Sequence, residues 1–407
     1  MYSKLIREIE IEAAKCARCG SCQGVCPIFQ LTRREQEVAR GKIALADAFL
    51  RGDIGKTRHL REIIENCLVC LACKDNCPNN VDTELVIRNL RILLKKSGSV
   101  LSTGEIFGQV LKSPSLLRKA LKLERSLSPA FLQNIVPESS GVRIRYPFSL
   151  LFEVRFLPDR APLRNSIPSL VSSPLPKATA LFFVGCSTQY IEPRIGIAAV
   201  KLLTRLGYNV LTPKSQGCCG FAAHVGGDLE MSEFLQGKVV ELIKGSNVDF
   251  VVTVCPTCNR RIRQVLEDVE YNLSVYDISK FIVEYVEQKN LTRCNRSEMI
   301  VTYHESCHLA RGLGIKREPR YILRSIFEDN FVEMEDAGVC CGLGGLYGVT
   351  HPDISRGILE RKIGNIEKTG CGYVFTGCPA CLLQLEHGIK NAGMDVKVRH
   401  LVELINL

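Results

Sequence analysis

Ala178-Thr-Ala-Leu-Phe-Phe-Val-Gly-Cys186 opens a segment that runs through Gly217-Cys-Cys-Gly220 to Phe250-Val-Val-Thr-Val-Cys255-Pro-Thr-Cys258, after which the whole order is repeated. In the first copy the apolar runs at 178–184 and 250–254 are strand-length. Pro193 to Leu206 and Asp228 to Lys244 read as helices, Val210-Leu211 as a short strand, and Cys255 to Cys258 opens another helix. In the second copy Met299 to Tyr303 leads to Cys307, Glu318 to Ile326 is helical, and Phe331-Val332 is a short strand. Cys340-Cys341-Gly342 follows, then a helix from Ile354 to Lys368, and Tyr373 to Thr376 enters Cys378-Pro-Ala-Cys381. Cys307 lies 121 residues after Cys186 and Cys378 lies 123 after Cys255, and Val275-Tyr-Asp-Ile278 matches Val398-Arg-His-Leu401. Strands alternating with helices in two tandem copies predict two α/β units with parallel sheet.

Each copy holds five cysteines: Cys186, Cys218, Cys219, Cys255 and Cys258, then Cys307, Cys340, Cys341, Cys378 and Cys381. The gaps on either side of the adjacent pair are 31 and 35 residues in the first copy and 32 and 36 in the second. Every group falls at the carboxyl end of a predicted strand or at a helix start, where ligand sites of parallel α/β sheets collect. Helix N-termini favour thiolates there. Spacing alone leaves three chemistries open: zinc, a four-iron cubane with a spare thiol, or a redox-active disulfide from the adjacent pair.

Ahead of the repeat stand Cys16-x-x-Cys19-x-x-Cys22-x-x-x-Cys26-Pro27 and Cys67-x-x-Cys70-x-x-Cys73-x-x-x-Cys77-Pro78. This is the spacing of bacterial-type 4Fe–4S ligation, in which three close thiolates wrap one cubane and the fourth reaches the other cluster. It assigns Cys16, Cys19, Cys22 and Cys77 to one cubane and Cys67, Cys70, Cys73 and Cys26 to the other. Zinc fits less well, because its tetrahedron is usually built from two separated pairs. Forty residues separate Cys26 from Cys67, with helix-compatible spacing from Arg33 to Leu50 and Gly52 as a stop. A second helix is expected from Glu84 to Leu94 after Pro78-Asn-Asn80. The module reads as an all-helical two-cluster ferredoxin domain, a wire for single electrons.

The chain has 407 residues, 46% hydrophobic and 24% charged, with 20 cysteines, of which only Cys294 and Cys371 stand outside a pattern. That usage predicts a reducing, cytoplasmic compartment. No run of about eighteen apolar residues occurs, and Met1-Tyr-Ser-Lys4 leads into alternating charge that does not read as an export signal. Net charge is +10, and residues 88–125 hold nine Lys/Arg against two acids among interleaved leucines. This amphipathic basic stretch reads either as a solvated face or as a docking surface for a flavoprotein or a membrane, and less as a nucleic-acid site. From 97 to 176 nine of the seventeen prolines accumulate, which predicts a basic helical piece and then an irregular connector. Gly342-Leu-Gly-Gly345 is not followed by Lys-Ser/Thr and no Rossmann pattern surrounds it, so neither a nucleotide nor a flavin site is expected.

The arrangement resembles the cysteine-rich CCG family of heterodisulfide reductase catalytic subunits and of the iron–sulfur subunits of glycolate and lactate oxidases. The resemblance covers nearly the whole chain and implies one or two further clusters, noncubane 4Fe–4S, on the ten repeat cysteines. Arg40-Gly41-Lys42-Ile43, Tyr303-His304-Glu305-Ser306-Cys307-His308-Leu309 and Glu318-Pro319-Arg320 resemble segments of the glycolate oxidase branch. The implied function is an electron-transfer subunit serving an FAD-containing 2-hydroxy-acid (glycolate or D-lactate) oxidase subunit, with a quinone or other downstream acceptor and peripheral attachment to the inner face of the membrane. The isolated chain is then expected to lack hydroxy-acid oxidation. The alternative is a heterodisulfide reductase D-type catalytic subunit, a reading kept open because all ten repeat cysteines are present.

The expected fold class is α+β multidomain. A helical ferredoxin domain (1–96) is followed by a connector (97–177), a first CCG domain (178–290) and a second (298–407). His304 and His308 flank Cys307 and read either as relays or hydrogen-bond donors to cluster sulfur, or as satisfied histidines at a strand-to-helix turn. His224 is read the same way.

Overall fold

The computed structural model describes residues 2–95, 162–287, 299–345 and 347–405. The N-terminal part is all helix: α1 (Tyr2–Ala14), α2 (Ser21–Val25), α3 (Pro27–Thr32), α4 (Ala39–Leu50), α5 (Arg58–Glu65), α6 (Ala72–Asp75) and α7 (Thr83–Leu94). α1, α4 and α7 pack on one another and bury Ile9, Ile43, Ala46, Val86, Ile87 and Leu90. Thr57 caps α5 through its side chain and Asp82 caps α7, each accepting from a backbone N–H three residues on.

The helix expected over Arg33–Leu50 starts only at Ala39. Arg33 turns left-handed at φ 55°, Glu35–Glu37 make a single 3₁₀ turn, and Val38 is extended and fully buried. The segment folds back on α4 so tightly that a Cβ at Gly41 would overlap the Glu35 carbonyl. Apolar spacing runs on through the bend because Val38 and Ala39 are both buried against the core.

The two repeat units form two sheets. β1 (Leu170–Val171), β2 (Ala178–Phe183), β3 (Tyr208–Leu211), β4 (Phe250–Thr253) and β5 (Val275–Asp277) lie in the order β1-β3-β2-β4-β5, parallel except for β1. β6 (Val301–His304), β7 (Tyr373–Thr376) and β8 (Lys397–His400) form the second, parallel sheet in sequence order. The expected strand at Phe331-Val332 shrinks to one parallel bridge, Val301 to Phe331, in the place β3 takes in the first unit. The tail of the expected irregular connector is structured: Leu163 is fully buried in the core and β1 pairs antiparallel with β3.

One hydrophobic core serves both units, joining Phe182, Val252 and Phe281 to Tyr303, Phe327 and Phe375. The packing between units is reciprocal. Helix Ile278–Tyr285, which follows β5, packs on helix Glu318–Phe327 of the second unit, and Leu401–Leu404, which follows β8, packs on helix Pro193–Arg205 of the first. The units are thus related by a pseudo-twofold, and the strand ends that carry the cysteines meet near it. The N-terminal helices close over those ends, with α7 against helix Phe221–Gly226 and α3 against helix Pro352–Glu367.

Candidate metal centres

In both N-terminal motifs the backbone turns left-handed at two equivalent places, Arg18 and Gly20 in the first and Val69 and Leu71 in the second. A β-branched valine at φ 52° is a costly conformation. Alternating right- and left-handed residues curl a loop so that its N–H groups point inward, the concavity that suits iron–sulfur groups. Cys26 leaves its own motif and joins the other: one cavity is lined by Cys26, Cys67, Cys70 and Cys73 together. Burial pushes Cys73 up to about 12, with Cys67, Cys26 and Cys22 adding to the rise, and burial raises Cys26 as well. Thiols so placed ionise only against a cation. Cys19 of the first set is exposed, its thiol lowered by Ser21, which lies 3.3 Å away.

Cationic side chains are divided between the two sets. Arg40 pairs with Glu35, donates to the Arg18 carbonyl at 3.2 Å, and faces Cys19 and Cys22. Lys42 is buried, donates to the carbonyls of Glu37 and Asn66, and favours the thiolate of Cys26. Arg91 is held by the carbonyls of Glu65 and Cys67 at 3.0 and 2.9 Å and by that of Val225 at 2.8 Å. Nothing in the motif spacing points to Arg91, because its contacts are carbonyls remote in sequence.

In the repeat units all ten cysteines form one unbroken chain of thiol contacts: 186, 218, 219, 258, 255, 378, 381, 341, 340, 307. The second half is the first half reversed, so the pseudo-twofold passes between Cys255 and Cys378. Hydrogen bonds from Cys218 and Cys258 hold Cys219 down to about 5. Those from Cys258 and Cys378 lower Cys255, and those from Cys307 and Cys341 lower Cys340. Burial raises Cys70, and Cys340 adds to that rise, so the far end of the thiol chain abuts the second N-terminal set.

The glycines after each Cys-Cys pair are required. Gly220 (φ 81°) and Gly342 (φ 92°) donate their N–H to Cys218 and Cys340 at 3.4 and 3.5 Å, and a Cβ on Gly342 would lie 2.7 Å from the Ser355 carbonyl. Cys255-Pro256 and Cys378-Pro379 place the cysteine at the N-cap of a helix whose first turn holds the next one.

The three histidines that sequence reading set near the repeat cysteines part company. His308 is satisfied at both nitrogens, by Thr257 at 2.8 Å and the Val69 carbonyl at 3.0 Å, and so ties the second unit to the first and to the N-terminal domain. Arg260 pairs with Glu84 beside it, and Arg311 donates to the Cys70 carbonyl at 3.3 Å. His224 lies 3.3 Å from Arg88 and 3.4 Å from Ser232. His304 is fully buried, and among the described residues neither ring nitrogen has a hydrogen-bond partner. Sequence reading missed Asp277 and His400, matched residues at the ends of β5 and β8 that flank the Cys255–Cys378 junction; His400 Nε2 bonds the Val254 carbonyl of the other unit at 3.0 Å. Their equivalence was visible in the repeat, but their proximity to the sulfurs depends on the two units meeting. Cys371 is a buried core residue outside the thiol chain, and Cys294 lies outside the described residues.

A buried, crowded, polarizable donor set inside left-handed loops is what an iron–sulfur group needs, and the residues fit it. The sequence matches the family described as "4Fe-4S dicluster domain" over residues 12–81 and that described as "Cysteine-rich domain" over 180–263 and 301–386. The chain is an iron–sulfur protein built from one dicluster domain and two cysteine-rich domains. It is similar, at 28% identity over 97% of this chain and 94% of the relative, to the probable glycolate oxidase iron-sulfur subunit of Bacillus subtilis. One subunit of the dihydromethanophenazine:CoB–CoM heterodisulfide reductase of Methanosarcina mazei is 23% identical over 97% of this chain and 93% of its own length. One subunit of the fumarate reductase (CoM/CoB) of Methanothermobacter marburgensis is 36% identical over 56% of this chain and 45% of its own length.

Proposed function

We propose that this chain is the iron–sulfur electron-transfer subunit of an FAD-linked 2-hydroxy-acid oxidase or dehydrogenase acting on glycolate or D-lactate. The observation that carries the reading is the continuous line of sulfur from the N-terminal sets through Cys70 and Cys340 to Cys378, Cys255 and Cys186. In this reading Cys16, Cys19, Cys22 and Cys77 hold one cubane, Cys67, Cys70, Cys73 and Cys26 hold the other, and each repeat unit offers five thiolates to a noncubane cluster. Such clusters supply one-electron oxidation and reduction. The chain's own residues hold the thiolates, shield them from water, and offset their charge through Arg40, Lys42, Arg91 and Arg311. Oxidising a hydroxy acid removes two electrons and calls for a hydride acceptor such as flavin, which assigns that step to a partner subunit. The order of thiols along the line is not the order in sequence: those of the second repeat unit come between the N-terminal sets and those of the first unit, although α7 also packs directly on the first unit's helix Phe221–Gly226. No described helix is long and apolar enough to cross a membrane. Of the basic residues in 88–125 only Arg88, Arg91 and Lys95 fall among the described residues. Arg88 and Arg91 are committed to internal contacts, so a docking role rests on the remainder.

The test is to purify the chain without oxygen, assay iron and zinc, and mix it with an FAD-linked oxidase subunit. Iron in several four-atom clusters, no hydroxy-acid oxidation alone, and bleaching of the clusters when glycolate or lactate is added with the flavin subunit are expected. Zinc at two or more per chain with negligible iron overturns the reading. The contact between the two five-cysteine sites at Cys255 and Cys378 favours one second reading, two-electron reduction of a disulfide in paired one-electron steps, in a cytoplasmic heterodisulfide reductase-type subunit. Turnover of a small mixed disulfide by the chain alone with reduced viologen, at about one per second or faster, would select it.

A further inference from the structure

We propose that His304 is a sixth donor of the second cysteine-rich site, an imidazole nitrogen bound to iron beside Cys341 and Cys381, so that the two repeat units hold their metal with different ligand sets. The proposal rests on the reading that the five cysteines of that unit hold an iron–sulfur group.

One ligand atom of His304, Cys341 Sγ and Cys381 Sγ all lie within 4.8 Å of one another, and all three residues are buried. Cys340 is close enough to act electrostatically on the same ring. His304 is the last residue of β6, three residues before Cys307, so the strand end sets its direction as it sets that of the cysteines. An imidazole with 0% exposure and no partner on either nitrogen leaves both a donor and an acceptor uncompensated, a loss that folded proteins seldom leave standing without a ligand or a functional reason. The ring is thus a buried nitrogen donor close to two thiols, with no structural bond to explain it. His308, four residues on, shows the contrast: its two nitrogens are both spoken for by Thr257 and Val69.

The first unit lacks this donor. The position matching His304 there is Phe183, which is buried among apolar residues, with Leu181, Val251 and Ile262 in the same cluster. As a donor added to five thiolates, the imidazole changes the coordination of one iron without changing the charge of the centre, and the ligand set is one of the levers on the potential of an iron–sulfur group. The second site is therefore expected to titrate at a potential different from that of the first.

The experiment uses the full chain purified anaerobically after growth on ¹⁵N-histidine. Pulsed EPR of the paramagnetic state of the second site should show a strongly coupled nitrogen that shifts with the isotope. His304→Phe should remove that signal and shift the potential of one centre while the N-terminal clusters keep theirs. His304→Asn, smaller and still polar, guards against a variant lost to misfolding, and the wild-type isotope shift stands without either. If the second site holds iron but shows no strongly coupled nitrogen, or only the weak coupling of a hydrogen-bonded ring, ligation by His304 is overturned and the iron–sulfur reading survives. If that site holds no iron, both fall.

Discussion

The two cysteine-rich units share strand order, helix order and the positions of five sulfurs, yet the atoms around those sulfurs differ. Where the second unit has His304, Ser306 and Lys362, the first has Phe183, Gly185 and Val239 at the matching places. Ser306 donates to Cys381 at 3.6 Å, whereas Gly185 offers Cys258 only space: a Cβ there would sit 3.2 Å from its sulfur. Lys362 is buried at the second site, where its charge faces Cys341 and Cys340 and its ammonium donates to the Asp336 and Ala337 carbonyls. The first unit answers with Arg261, which lies beside Cys219 and is held by Ser232 and Gln236; its counterpart, Gln384, donates to Ser355. Each unit thus brings one buried cation to its thiolates, but from a different helix. Charge balance and a glycine N–H to sulfur are common to both sites, while among the described residues a hydroxyl hydrogen bond to sulfur is a property of the second.

The largest effects should come from breaking the line at its two ends. Cys340→Ser removes a ligand in the unit next to the N-terminal domain, and reduction of the first unit by a flavin subunit should slow by roughly 10- to 100-fold or more in stopped flow. Cys218→Ser should lose iron from the first unit and leave reduction of the second at the wild-type rate. Reduction of the first unit at the wild-type rate in Cys340→Ser would show that the units are filled in parallel, against a serial order.

The same contrast can be put to the two N-terminal motifs. Cys26 lines the cavity of Cys67, Cys70 and Cys73, so Cys26→Ser should abolish the EPR signal of that cluster and spare the one held by Cys16, Cys19 and Cys22. Loss of the latter with survival of the former would refute crossed ligation.

A smaller effect is expected at the junction, where Asp277 and His400 occupy equivalent places. Burial raises the Asp277 carboxyl to about 7, with one oxygen unpartnered. The unfolded chain releases that proton at about pH 3.9, so the folded state binds it more tightly and stability falls as pH rises from about 4 to 7, then levels. Asp277→Asn should remove up to about 4 kcal/mol of this pH dependence, measured by denaturant unfolding of the anaerobic protein at several pH values across that window. An unchanged slope would mean that the carboxylate finds a partner in solution.

The smallest expected change is at Ser306. Ser306→Gly copies the first unit and removes one hydrogen bond to Cys381, worth about 1 kcal/mol, so the potential of the second site should drop by tens of millivolts, since ~59 mV is a tenfold change for one electron. A shift of the first site instead would reverse the assignment of which unit is tuned by hydrogen bonds.

Much of this was legible from residue order. The strand and helix alternation, the ten repeat cysteines and the helical N-terminal domain followed from periodicity and spacing, because each is local. What escaped was set by parts remote in sequence. The bend at Arg33–Val38 depends on Gly41 receiving the Glu35 carbonyl; β1 exists because β3 offers it an edge. His304 and His308 looked alike as neighbours of Cys307. Only the approach of Thr257 and Val69 satisfies one of them and leaves the other open.

The reversed order of thiols about Cys255 and Cys378, with reciprocal helix packing around it, bears on how the two sites can differ. An isologous contact is one a single gene product makes with its own copy, and here each unit covers on its neighbour the apolar face that the neighbour covers in return. A lone unit would expose that face to water. The arrangement is therefore the one that two copies of a single unit would make as a homodimer, here joined in one chain. In a homodimer a substitution such as phenylalanine to histidine strikes both sites at once; in one chain one site can change while the other is held, which lets a two-fold scaffold carry unlike surroundings at its two five-cysteine sites.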